Sequence, residues 1–419
     1  MKTFGQAMRR LRGSISLREV SRRAHIDPGH LSRIEADKRP PSLMIAAALD
    51  DVLAANGALA AFVSEQRAEP WHLDGGLWRL KDSDRLAAAI AAETPTADNA
   101  VQLAHQWLIS EPPQVYEIRS GRRIGVGTVE RVEQRVQQLR LLDDHVGGTE
   151  TYAMVTGELA ATAALLRDAA YTEDVGRRLL VAIGELCQLA GWTSSDAGRY
   201  VEAERLYLTG VLAAHASGDV GSAANNLSSL AYQVANVGDP REAATLARSA
   251  YAGARREVSA TTRALLAERV AWAAARTGEA AVAERALSTV ETEYEHRQVD
   301  DDPIWVYWLD EAEIEIMAGR VWTQLARPLR AVPILERATA GYGDDTGRET
   351  ALYLTWLAES LLQANEVERA AATATEALRL SRRAGSVRAT ERVAVIRGQL
   401  RGFRGNAAVD AFEDEISAA

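Results

Sequence analysis

The feature that most limits the fold is a turn signal that returns about every forty residues through the C-terminal half. GRYVEA (198–203), GDPREA (238–243), GEAAVA (278–283), GRVWTQ (319–324) and NEVERA (365–370) each open on Gly or Asn and carry alanine or a substitute five residues later. The intervals are 40, 40, 41 and 46 residues. Apolar residues at helical spacing precede and follow each turn, as in 225–237 and 240–255. A single helix pair of this size cannot bury its apolar face, so such pairs stack on one another. No strand pattern of any length interrupts them, and the chain is expected to be all-α, with an α-solenoid of helix pairs as its body.

The turn resembles that of the tetratricopeptide repeat, G-x-[YF]-x-x-A, which Gly198, Tyr200 and Ala203 meet in full; the other turns match in part. The likeness covers about half the chain, and these repeats are longer than the family's roughly 34 residues. The resemblance implies that the first helix of each pair lines a concave wall. Aligning the turns places Trp192, Tyr232 and Trp272 at one equivalent position, forty residues apart. On the same wall fall Glu185 and Gln188, then Asn225 and Ser228, then Glu268. Converging amides and rings suit an extended peptide or a medium-sized ligand, and these eight residues are the candidate ligand set. The rings have a second reading, as packing between adjacent helix pairs. Asn225 and Asn226 are poor helix formers inside a helix and need a reason to be there. Trp305, Trp308, Trp322 and Trp356 read as core or as a dimer surface, and Cys187 as a small buried hydrophobe.

The N-terminal residues follow another plan. Thr3 with Gln6, and Ser16 with Glu19, form S/T-x-x-E/Q capping boxes. Phe4, Ala7, Met8 and Leu11 share one face of the first helix, and Leu17, Val20 and Ala24 one face of the second. After the turn HID, Asp27 caps a third helix with Pro28 at its first position and Leu31 and Ile34 buried. A fourth helix starts at Ser42, carrying Leu43, Ala46, Ala47 and Leu49 inward, and a fifth covers about 58–66. Two short helices across a tight turn make a helix-turn-helix.

Leu17, Val20 and Ala24, then L-S-R-I-E at 31–35, then Lys38, Arg39, Pro40, Pro41 and Ser42 together resemble the phage-repressor-like XRE family. In that family an arginine ending helix 1 pairs with a glutamate ending helix 3, and Arg10 and Glu35 stand at those places. Asp37 departs from the family's frequent glycine but tolerates the left-handed backbone. The third helix exposes Pro28, Gly29, His30, Ser32 and Arg33. A guanidinium matches guanine O6 and N7 with both arms, so Arg33 is the first candidate base reader, with His30 and Ser32 secondary. Arg18, Lys38 and Arg39 suit phosphates. The alternative for each arginine is a solvated charge.

Charge agrees with this division. Residues 1–67 carry 11 Lys or Arg against 7 Asp or Glu, a balance of +4, and the rest of the chain carries −14 of the total −10. A basic head on an acidic body fits a DNA reader whose second domain does not touch DNA. The expected division is a head at 1–67, a linker at 68–98 and a repeat body at 99–419 for ligand sensing and dimerisation. The linker holds the breakers Glu69-Pro70, Gly75-Gly76 and Thr94-Pro95-Thr96, an amphipathic stretch at 83–92, and Trp71 and Trp78 as anchors.

Lysine occurs only at 2, 38 and 81, so no G-K-[ST] phosphate loop is present. The GRRIGVG stretch at 121–127 reads as a loop. The seven histidines are scattered, no H-E-x-x-H or G-x-S-x-G occurs, and one cysteine allows no disulfide within the chain. The expectation is a non-enzymatic cytoplasmic protein with no cofactor, no metal and no membrane segment.

An XRE-like head on a tetratricopeptide-like body resembles the RRNPP group of peptide-sensing bacterial regulators. The alanine- and arginine-rich, lysine-poor composition resembles that of high-GC actinobacterial proteins. The resemblance implies a homodimer on a pseudo-palindromic double-stranded DNA operator, with a peptide or small-molecule effector in the groove. The alternative is a repeat-based interaction adaptor tethered to DNA by its head.

Overall fold

Side chains of Thr3, Asp27, Thr172, Asp219, Asp239, Ser259 and Asp310 cap the helices that follow them, whereas the helices that begin at Tyr200, Ala280 and Pro328 start without a side-chain cap. The computed structural model describes residues 3–24, 26–36, 41, 43–55, 57–60, 63, 78, 80–92, 100–111, 123–146, 148–340, 347–383 and 387–417. Asp37, Lys38, Arg39, Ser42, Trp71 and the Gly75-Gly76 pair lie outside them. Among the described residues there is no β-strand, and no helix is long and apolar enough to cross a membrane.

The head comprises α1 (Phe4–Arg12), α2 (Leu17–Ala24), α3 (Pro28–Glu35) and α4 (Leu43–Leu53), with a further helical turn at 58–60. Thr3 and Gln6 form the full capping box on α1. At α2 the Ser16 hydroxyl accepts from the Glu19 amide at 3.2 Å, but the Glu19 carboxylate turns to Arg22 and Arg23. Phe4, Met8, Val20, Leu31, Ile34, Ala46, Leu49 and Leu59 form one buried core. Asp50 is buried beneath it and accepts from the amides of Leu59 (2.8 Å) and Ala60 (2.7 Å). That bond ties the last turn of the head to α4, and no sequence motif announced it.

The Arg10–Glu35 expectation is corrected. Glu35 instead receives Arg12 Nε at 2.7 Å, with Arg9 Nε at 3.9 Å, while Arg10 is exposed. Phe4 and Met8 are the buried side chains of α1, and Arg12 lies one turn along the same face; Arg10, two residues from Met8, points the other way.

The body runs α5 (Leu80–Ala91), α6 (Ala100–Ile109), α7 (Val126–Val146), α8 (Gly148–Asp168), α9 (Glu173–Asp196), α10 (Tyr200–Ser217), α11 (Val220–Val237), α12 (Pro240–Ala254), α13 (Ala260–Arg276), α14 (Ala280–Glu295), α15 (Glu311–Gln324), α16 (Pro328–Thr339), α17 (Gly347–Gln363), α18 (Val367–Arg383), α19 (Val387–Leu400) and α20 (Ala407–Ser417). From α9 to α18 consecutive helices pair, each first helix also packs on the first helix of the next pair, and the last two helices pack on α17 and α18. This is the expected helix-pair solenoid. Trp78 and Leu86 join its core, and Arg205 Nη1 donates to the carbonyls of Ala89 and Ile90, near the C-terminal end of α5.

One turn is not where the sequence motif puts it. Gly319 sits inside α15, and a Cβ there would come within 2.6 Å of the Leu335 side chain, so this glycine permits close packing of α15 on α16. The turn falls at Ala326, whose φ of 53° matches Gly198 (74°), Gly278 (78°) and Asn365 (64°). All four close with the same pair of backbone bonds: Gly198, Gly278, Ala326 and Asn365 donate to the carbonyl three residues back, and each following residue to the carbonyl five back. The connection at 296–310, with two short 3₁₀ turns, lengthens this repeat to 48 residues between turn positions 278 and 326.

Candidate functional site

Two surfaces carry the candidate residues. On the head, Asp27 accepts from the His30 amide at 2.7 Å and Pro28 occupies the first turn, which fixes where α3 begins. Leu31 and Ile34 hold the helix down, leaving Pro28, Gly29, Ser32 and Arg33 exposed and His30 half-buried. A Cβ on Gly29 would lie 4.0 Å from the Arg33 guanidinium, so Arg33 reaches back over the first turn of α3. It has no hydrogen bond or ion pair among the described residues. On α2, Arg22 and Arg23 are tied to Glu19, holding that carboxyl at about 2, well below its ordinary value, through hydrogen bonds first and charge second. Arg18 is exposed and outside that pairing.

Residues 3–62 match the family model of a helix-turn-helix domain. The head is a helix-turn-helix DNA-binding domain. The helix-turn-helix match ends well before α5, and the chain matches none of the curated proteins with which it was compared.

In the body the eight candidate ligand residues divide into two groups. Gln188 accepts from Arg140 Nη1 at 3.0 Å and donates to Ser229 at 3.3 Å, while Glu185 lies 3.8 Å from Arg140. Burial pushes the Glu185 carboxyl above its ordinary value, against the pull of Arg140. Glu185 lines a cavity of about 540 Å³ shared with Asp219, Glu257 and Asp302. Ser228 is buried and donates to the Asn225 carbonyl of its own helix. Asn225 is also buried, but its neighbour explains the unusual pair: Asn226 Nδ2 donates to the carbonyls of Gly184 and Ser222, both at 3.0 Å. A Cβ on Gly210 would stand 2.0 Å from the Asn226 side chain, so the asparagine is packed between three helices.

The second group is aromatic and cationic. Trp192 stacks on Tyr232 with centroids 5.9 Å apart, and Trp272 meets Trp356 edge-on at 5.6 Å. Trp272 is 1% exposed and donates to Asn236 at 3.2 Å, so it is part of the wall rather than a free ring. Arg320 joins the two pairs: its guanidinium lies 4.8 Å from the Trp272 ring centre, 5.2 Å from Trp356 and 5.4 Å from Tyr232, and it donates to the Tyr232 hydroxyl at 2.8 Å. Arg269 also faces Tyr232, at 4.7 Å, and pairs with buried Glu268 at 2.6 Å. Arg388 of α19 faces Trp192 at 5.6 Å and pairs with Asp196 at 3.0 Å, and Arg392 faces Trp356 at 3.8 Å and pairs with Glu359.

Sequence reasoning missed these arginines, and the misplaced turn accounts for one of them. Counting six residues back from the turns at 198, 238, 278, 326 and 365 gives Trp192, Tyr232, Trp272, Arg320 and Glu359. The position that carries rings in three repeats carries a charge in the next two. Arg388 and Arg392 come from beyond the last recognised turn and only folding brings them to Trp192 and Trp356. Burial pushes the Tyr232 phenol up, but Arg320, Arg388 and Arg269 together hold it below its ordinary value. Among the described residues no group of three side chains is placed to hold a metal ion.

Proposed function

We propose that the protein is a sequence-specific transcriptional regulator of the XRE type, acting as a homodimer on a pseudo-palindromic operator. Its tetratricopeptide-like body senses a peptide or small-molecule effector, in the manner of the RRNPP group. The observation that carries the reading is α3. A capped, anchored helix presents Pro28, Gly29, Ser32 and Arg33, the last unpaired among the described residues, on one open face, which is the arrangement a major-groove helix needs. In this reading Arg33 reads a base, His30 and Ser32 assist, and Arg18, Lys38 and Arg39 meet phosphates.

The effector role rests on the clustering of Trp192, Tyr232 and Trp272 with Arg320 on the inner wall. Glu268 supports that wall through Arg269, and Glu185, Gln188, Asn225 and Ser228 form a second polar patch beside Arg140. Regulation follows if filling the groove changes the spacing of two heads.

Selection of bound duplexes from a random library tests the DNA reading. The full-length protein is expected to enrich a two-fold symmetric site, and Arg33→Ala to lose preference at one base pair per half-site. Equal selection by Arg33→Ala and the parent would overturn it.

A further inference from the structure

We propose that the wall around Arg320 and Arg269 is a binding site for an oxyanion, a carboxylate or phosphate carried on a small aromatic or apolar body. The proposal rests on the reading that the groove takes an effector, and it names the effector's charge.

Five guanidiniums gather here, Arg269, Arg276, Arg320, Arg388 and Arg392, and three carboxylates are paired to them, Glu268, Asp196 and Glu359. Arg276 is satisfied by neutral acceptors, the Ala235 carbonyl at 2.9 Å and Gln324 at 3.1 Å. Arg320 has only the Tyr232 hydroxyl and three ring faces, and among the described residues no carboxylate is in ion-pair distance of it. Glu349 adds a further negative charge near Arg388, which leaves Arg320 as the buried guanidinium with no carboxylate paired to it among the described residues; removing an unpaired charge from water is costly.

Arg320 is 7% exposed and Arg269 5%, and the Nε–H of each, like that of Arg392, is buried with no acceptor among the described residues. Nε and one terminal nitrogen form the side of the guanidinium fork that grips a carboxylate or phosphate with two parallel bonds. Native proteins rarely leave such donors bare, and a bound water, ion or ligand is one way in which they are met.

The local field agrees: Arg320, Arg388 and Arg269 outweigh burial and hold the Tyr232 phenol below its ordinary value, and burial with Arg392 lowers the affinity of Arg276 for its own proton. Both shifts are those expected beside clustered positive charge. Access is graded from outside inward. The side chains of Arg388 and Arg392 keep 33% and 21% of their exposure, Trp192 and Tyr232 are half-buried, and Arg320 and Arg269 lie behind them. The stacked rings of Trp192 and Tyr232 would cover the flat or apolar part of a ligand whose anionic end reaches the inner guanidiniums.

The test is calorimetric titration of the full-length protein with phenylacetate, phenyl phosphate, phenethyl alcohol and phenethylamine, which share a ring and differ in charge. One or both anions are expected to bind, with the alcohol and amine weaker by about tenfold or more, the scale of one charge-assisted hydrogen bond. The tighter anion identifies carboxylate or phosphate as the natural headgroup. Arg320→Met, which keeps length and ring contact, is expected to lose that preference; Arg320→Lys is expected to keep part of it. Arg388→Gln, at the half-exposed rim, repeats the test where the fold is least at risk, with helix content checked by circular dichroism.

Equal binding of the amine or alcohol, unchanged anion binding in both Arg320→Met and Arg388→Gln, or no binding of either anion would overturn the proposal. Neutral or cationic binding lost in Trp192→Ala would do so while leaving the groove an effector site. If the anions bind and operator affinity does not change, the oxyanion site stands and the effector reading falls.

Discussion

The head and the body use arginine in opposite ways. On α2 and α3 the guanidiniums of Arg18 and Arg33 stand in solvent, held only by their helices, with α3 in turn held by Leu31 and Ile34. In the body, Arg269 and Arg320 are nearly sealed from water and lie over Tyr232 and Trp272. An exposed arginine costs the fold little and waits for a phosphate or a base edge. A buried one is tied to the stability of everything around it, and its charge must be answered by rings, carboxylates or a ligand. The same side chain is replaceable for folding in one place and structural in the other.

The largest test of that contrast is Trp272→Ala. Removing a ring that is 1% exposed is expected to cost roughly 3–5 kcal/mol in denaturant unfolding of the body. Arg33→Ala is expected to change stability by less than about 0.5 kcal/mol. Similar losses for the two would erase the distinction.

Asp50→Ala asks whether the head has a buried polar anchor of its own. Losing two charge-assisted bonds to the Leu59 and Ala60 amides is expected to cost about 1.5–3 kcal/mol. The loss should appear in melting of the head and leave the body transition in place. A shift of both transitions together would mean the two regions unfold as one.

A smaller effect concerns DNA. Arg18→Ala is expected to weaken operator binding evenly across sequences and to reduce the slope of log K against log salt by about 1. A change in base preference would instead make Arg18 a reader.

The smallest is spectroscopic. Tyr232 is held below the ordinary phenol value by Arg320, Arg388 and Arg269, with Glu268 close by. Its folded value lies below its unfolded one, so the phenolate adds stability only as pH rises into the alkaline range and adds none at neutral pH. Arg320→Met is expected to move the Tyr232 tyrosinate transition to higher pH, read against Tyr232→Phe. No shift would mean that Arg320 does not set the field there.

The head was largely legible because its signals are local. The capping box at Thr3 and Gln6, the proline at the first turn of α3 and the apolar stripes of α1 to α3 act within one helix and appear where the sequence placed them, whereas the Ser16–Glu19 box forms in one direction only and Ala47, read as inward, is exposed. The Arg10 expectation failed on helical phase: the motif set the end of α1, but the buried face through Met8 decided that Arg12 meets Glu35. The fourth repeat failed differently. A glycine looked like a turn, but its missing side chain serves the approach of α15 to α16, and Ala326 took the left-handed position.

By itself, then, the sequence determined the all-α class, the helix-turn-helix head, the forty-residue repeat and the alignment of Trp192, Tyr232 and Trp272. Those follow from periodicity and capping, which are properties of neighbouring residues. Only the tertiary structure decided that Arg320 continues the ring position, that Arg388 and Arg392 return from α19 to meet Trp192 and Trp356, and that Gln188 and Tyr232 belong to different clusters. Contacts between residues far apart in the chain depend on how helices stack, and no local spacing encodes which guanidinium will lie over which ring.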